Sequence, residues 1–68
     1  MSNVSTYTVT GMTCGHCVAS VTEEVQEIAG VEDVAVDLAS GAVTVTSAEP
    51  LDDDAVRAAV EEAGYQLA

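Results

Sequence analysis

The sequence predicts an α+β fold in which two strand–helix–strand units are joined by a central hairpin. Three observations carry this. Apolar and polar residues alternate in three short stretches. They recur at spacings of three and four in two others. Glycines punctuate the junctions at Gly11, Gly30, Gly41 and Gly64.

Thr6 to Thr10 alternates, with Tyr7 and Val9 on one face, and its β-branched content predicts a strand that Gly11 breaks. From about Gly15 to Ala29, Val18, Val21, Val25 and Ile28 form one helical stripe, with Glu23, Glu24 and Glu27 away from it. Gly30 supplies the stop. Val34, Val36 and Leu38 alternate with Ala35 and Asp37 as a second strand. Ser40-Gly41 is the turn into a third strand, where Val43 and Val45 alternate with Thr44 and Thr46. Pro50-Leu51-Asp52 is expected to open the second helix, with an Asp in the N-cap region and more acid in the first turn to suit the helix dipole. Val56, Ala59, Val60 and Ala63 are its buried stripe, and Arg57 is spaced to pair with Asp53 or Glu61. Tyr65-Gln66-Leu67 can form a short last strand. The order β-α-β-β-α-β is the ferredoxin-like arrangement: a four-stranded antiparallel sheet with two helices on one face, an open-faced sandwich.

Composition narrows the function. The 68 residues hold twelve Asp and Glu against one Arg and no Lys, a net charge of −11. Small soluble domains usually carry roughly 2 to 8 charges. Nucleic-acid binding needs clustered Lys and Arg to neutralise phosphates, so this balance argues against it, as it does against a polybasic membrane segment. Apolar residues make up 49% and charged residues 19%, which is not the signature of a disordered chain. The length accommodates one domain, 1–68, with no deep substrate cavity, and Met1 suits a free-standing protein. No apolar run approaches the roughly 20 residues of a membrane span, and none suits a secretory signal. A cytoplasmic location with reduced thiols is therefore expected.

Cys14-Gly15-His16-Cys17 lies between the first strand and the first helix. Cys17 falls in the first helical turn, where the partial positive charge favours a thiolate. Two thiolates are soft donors and suit Cu(I), whereas Zn(II) wants four ligands, or three plus water. The residue before the motif is Thr13, so no hard oxygen donor stands beside it. A two-coordinate ion stays open to a third thiolate from another protein, which is what a carrier needs.

Gly11-Met12-Thr13-Cys14-Gly15-His16-Cys17 resembles the Gly-Met-Thr-Cys-x-x-Cys signature of heavy-metal-associated domains. That family includes small prokaryotic copper chaperones and the N-terminal metal-binding domains of copper-transporting P-type ATPases. The hairpin from Val31 to Val45 and the closing Glu62-Ala63-Gly64-Tyr65 are also similar to it. The resemblance implies a non-enzymatic carrier with Cu(I) on Cys14 and Cys17, handing the ion to a copper-transporting P-type ATPase. It implies Met12 as a buried anchor beneath the loop, or else a thioether ligand. Thr13 would cap or shape the loop. Tyr65 would stand close to the loop, as a core aromatic or as part of the site. His16 is open between a third or bridging ligand, a modulator of the thiols and an exposed first-turn residue. A copper-bridged homodimer is a further expectation.

Rival readings remain. Hg(II) is equally soft, Zn(II) is thiophilic, and the chain could be a detached regulatory domain of an ATPase. Cys-Gly-His-Cys is also a thiol–disulfide oxidoreductase tetrapeptide, but no Trp precedes it and the only proline, Pro50, starts a helix instead of facing the thiols. Asp52-Asp53-Asp54 lacks the spacing and Gly of a calcium loop. The acidic surface has two explanations: steering to a basic partner, or adaptation to a salty cytosol.

Overall fold

A computed structural model describes residues 3–68; Met1, read above as a start residue, lies outside them. The elements run β1 (Asn3–Thr10), α1 (Gly15–Gln26), β2 (Val31–Asp37), β3 (Ala42–Ser47), α2 (Asp53–Glu62) and β4 (Gln66–Leu67). The sheet order is β2-β3-β1-β4, and every pairing is antiparallel. This is the predicted ferredoxin-like sandwich. Because β1 and β2 run the same way, the end of β1, the β2–β3 turn and the end of α2 meet at one end of the molecule.

The core is built of valine. Val21, Val25, Val43, Val45, Val56 and Val60 are completely buried, joined by Val9 and Ala59. The helices contribute their spaced stripes and the strands their alternate positions, as the two periods require. Val43, Val45 and Ser47 of β3 face inward in alternation. Ser47, the one buried polar residue among those described, is satisfied by donating to the Glu49 carbonyl at 2.6 Å.

Several boundaries differ from the sequence expectation. β1 begins at Asn3, three residues before the expected Thr6, because β3 pairs with it as far as Asn3↔Ser47. α1 ends at Gln26 with Glu27 as its C-cap, and Ile28 follows it in a turn. β2 ends at Asp37, so Leu38 lies in the turn. The Asp37 carboxylate accepts from the Ala39 N–H and the Ser40 hydroxyl, which bends the chain before Leu38 can pair. At α2 the expectation holds: Pro50 and Leu51 lead into the helix, Asp52 is the N-cap, and its side chain accepts from the Asp54 N–H at 3.0 Å. Arg57 pairs with Asp54 at 3.0 Å instead of Asp53 or Glu61. The Asp53 carboxylate is engaged across the fold by the Tyr7 hydroxyl, also at 3.0 Å.

The acids lie on the helix surfaces and at the strand ends. Burial, then the Glu27 carboxylate, push the Glu24 carboxyl above its ordinary range. Neither helix carries a basic residue in its last turn, where the dipole would welcome one. Self-repulsion therefore opposes folding, and salt screens it. The melting temperature is expected to rise by about 5 to 10 °C between dilute buffer and molar salt, equivalent to about 1 to 2 kcal/mol for a domain of this size. A melt followed by circular dichroism checks this, and an unchanged midpoint would refute it.

Candidate metal site

β1 leaves the sheet at Thr10, and Gly11 turns the chain with φ of 91°, a left-handed value that favours glycine. Met12 follows, half-buried and packed against the valine core, so the loop is pinned from beneath. Cys14 is the N-cap of α1, and its carbonyl accepts from the Cys17 and Val18 N–H groups at 3.1 and 3.3 Å. Cys17 thus sits in the first helical turn. It is buried, Cys14 is exposed, and both are free thiols.

The two sulfurs lie 3.5 Å apart. Among the described residues, no group of three or more His, Cys, Asp or Glu is placed to hold one ion. His16 is therefore not brought together with the thiols. It is exposed on the first turn, and its carbonyl accepts from the Ser20 hydroxyl. Adjacency to Cys17 on a helix turns its ring toward another side.

The environment of Cys17 favours its charged form. Its pKa is lowered to about 6. The largest cause is a hydrogen bond from the Thr13 backbone N–H, followed by one from the Tyr65 side chain; burial opposes them, and the Cys14 N–H and thiol assist. The Thr13 hydroxyl also lies 3.9 Å from the Cys17 sulfur. Thr13 does not cap the helix; that position belongs to Cys14. Its part is to aim donors at a sulfur. These loop donors were not legible in the sequence, since any residue carries an N–H and only the folded turn directs it.

Tyr65 is delivered to the loop by the end of α2. The Gly64 N–H bonds the Glu61 carbonyl at 2.9 Å and the Tyr65 N–H bonds the Val60 carbonyl at 3.1 Å, with Gly64 left-handed at φ 95°. This pair of bonds is the Schellman termination. It places the Tyr65 ring against Gly11, where an added Cβ would meet the ring at 3.4 Å. The hydrogen bond to Cys17 raises the Tyr65 hydroxyl's own pKa in return.

A depressed thiol pKa has a definite sign. The Cys17 contribution to stability is full above the ordinary thiol range near about 8.5 and is lost as pH falls through about 6. Thiolate absorbance in the reduced, metal-free protein should show its first titration midpoint near 6. Tyr65→Phe should move that midpoint upward. A first midpoint at the ordinary thiol value, unmoved by the substitution, would contradict the assignment.

Fold and thiol pair together define a ferredoxin-like metal-binding domain. Residues 6–66 match the heavy-metal-associated domain, and the chain belongs to that family. It is 39% identical over 64 residues to the copper chaperone CopZ of Bacillus subtilis, covering 93% of each chain. It is 41% identical over 59 residues to a COP-associated protein of Helicobacter felis, covering 87% of this chain and 89% of that one. A solved CopZ metallochaperone superimposes with a TM-score of 0.90 at 30% identity, over 97% of this chain and 100% of that one. The chain is also 36% identical over 64 residues to Copper-transporting ATPase 1 of Rhizobium meliloti, 94% of this chain but 8% of that protein. No helix among the described residues is long and apolar enough to cross a membrane.

Proposed function

We propose that this chain is a Cu(I) metallochaperone of the cytosol, acting as a single 1–68 domain and without enzymatic activity. Cys14 and Cys17 hold the ion as thiolates, with Met12, Thr13 and Tyr65 supporting them. Delivery is to the metal-binding domain of a copper-transporting P-type ATPase. The observation that carries this reading is the sulfur pair at 3.5 Å, beside which no His, Asp or Glu among the described residues is gathered as a third ligand. Two soft ligands suit Cu(I) and leave a hard or four-coordinate ion under-coordinated. The similarity to CopZ and to part of a copper-transporting ATPase supports the same cargo and the same kind of acceptor.

The site's asymmetry suits transfer. Cys14 is exposed and Cys17 is buried among loop donors. An incoming thiolate of the acceptor binds the ion first, giving a three-coordinate intermediate. The Cu–Sγ bond to Cys14 then breaks, a second acceptor thiolate replaces Cys17, and the copper remains Cu(I) throughout. The thiols of the emptied chain take up protons as the acceptor's thiols release theirs. The test is a titration of the reduced protein with Cu(I) against a competing chelator. One tightly held equivalent supports the reading. Preference for Zn(II) or Hg(II) under matched conditions would replace the cargo and keep the carrier.

A further inference from the structure

Tyr7 and Tyr65 are the two aromatic residues of the chain. Each fastens one end of α2 to β1 or to the loop that follows it. At the first turn of α2, the Tyr7 hydroxyl donates to the Asp53 carboxylate at 3.0 Å. At the other end, the Schellman turn seats the Tyr65 ring on Gly11, and the Tyr65 hydroxyl bonds Cys17. Tyr7 faces inward from β1 and packs against the valine core, so its ring is held while its hydroxyl reaches across to the helix. Burial, and then the bond to Asp53, push that hydroxyl above its ordinary pKa, so it keeps the proton it donates.

Little else fixes the axial position of α2. Its buried stripe is Val56, Ala59 and Val60. Burial of small aliphatic side chains is strong but non-directional, and it sets the distance to the sheet better than the position along it. A hydrogen bond has a preferred length and direction. The side-chain bonds of Asp52 with the Asp54 N–H and of Arg57 with Asp54 lie within the helix and do not tie it to the sheet. The ten residues of α2 form a stiff rod of about 15 Å, so a shift at Asp53 is carried to Glu62 and on to Tyr65.

We propose that Tyr7 is a positioning residue for the metal loop: by anchoring Asp53 it sets the axial register of α2, and α2 thereby holds Tyr65 on Gly11 and Cys17. Its effect on copper rests on the carrier reading above, and it extends the supporting residues from the loop to the far end of α2. Tyr7 acts through Tyr65, so its hydroxyl matters to binding only while the Tyr65 hydroxyl can reach Cys17. Tyr7→Phe keeps a ring in the core and removes only the anchor. Arg57 with Asp54, an exposed pair on the same helix with no link to the sheet, has no such part and serves as the control.

The test is a double-mutant cycle, read in the metal-free and in the copper-bound protein. Gly11 lies against the Tyr65 ring, so its α-proton NMR shifts report where that ring stands. In the metal-free chain, Tyr7→Phe and Asp53→Ala should each move those shifts. Asp53→Asn, which keeps an acceptor oxygen, and Arg57→Gln should leave them in place. In competition with a Cu(I) chelator, Tyr7→Phe should weaken binding about 3- to 10-fold, less than the loss of a partner in direct contact with a ligand. In a Tyr65→Phe background the same substitution should have no further effect. Gly11 shifts unmoved by Tyr7→Phe, or an equal loss of affinity in both backgrounds, would overturn the proposal. Failure of the unaltered chain to bind Cu(I) would instead overturn the carrier reading beneath it, and the Gly11 shifts would still decide whether Tyr7 anchors the helix.

Discussion

Gly41→Ala is expected to unfold the chain or bring it to the edge of unfolding, whereas Gly15→Ala is expected to leave it equally stable or slightly more so. At Gly41 the backbone φ is 77°, and an added Cβ would stand 2.6 Å from the Val9 carbonyl oxygen. That oxygen belongs to a paired strand and cannot swing aside. The left-handed conformation costs a non-glycine residue about 1 to 2 kcal/mol. Relieving the overlap would also pull the turn from β1 and strain the Val9 N–H to Gly41 bond. We expect a total of at least about 3 kcal/mol, against a stability of about 3 to 10 kcal/mol for a domain of this length. Gly15 has no neighbour within 4 Å and is the first residue of α1. Ala there narrows the unfolded ensemble and favours the helix by about 0.5 to 1 kcal/mol. Urea unfolding of the two variants decides the matter. A fully stable Gly41→Ala protein would mean that the turn does not seat on β1 as described.

The second large effect concerns the thiols. Changing either Cys14 or Cys17 to Ser leaves a single soft donor, and the remaining hydroxyl is a poor ligand for Cu(I). Loss of an outer-shell partner typically weakens metal binding by about 10- to 100-fold. Loss of a ligand should exceed that, by at least about 1,000-fold, or about 4 kcal/mol. The two substitutions should differ in how they disturb the empty protein. Cys14 is exposed, so Cys14→Ser should leave stability unchanged. Cys17 is 8% exposed and held by loop donors, so Cys17→Ser should lower the urea midpoint measurably. Competition with a Cu(I) chelator measures the first effect. An affinity within 10-fold of the unaltered chain in either variant would exclude that residue as a ligand.

Much of this architecture is legible in the residues because two periods dominate the chain. The valines of α1 and α2 sit at helical spacing, those of β3 alternate, and left-handed glycines mark the ends. The thiol pair is legible because its spacing is local. What escapes local reading depends on contacts between distant parts. Arg57 is spaced for Asp53 or Glu61 but pairs with Asp54, while Asp53 accepts from Tyr7, 46 residues away. Leu38 alternates as a strand residue would, yet a carboxylate one position earlier captures the turn. The Thr13 N–H that lowers the Cys17 pKa exists in every sequence, and only the loop's path after Gly11 directs it to sulfur.

The acidic surface acquires a narrower meaning. Its −11 charge lies outside the metal loop. It therefore bears on stability in salt, and in the proposed reading the choice of metal rests with the two sulfurs.

The most direct test of the carrier reading is native mass spectrometry of the reduced chain with added Cu(I), beside the variant carrying Cys14→Ser and Cys17→Ser. One Cu(I) per chain, absent from the double variant, is the result expected. Cu(I) retained by the double variant, or none held by the unaltered chain, would contradict it.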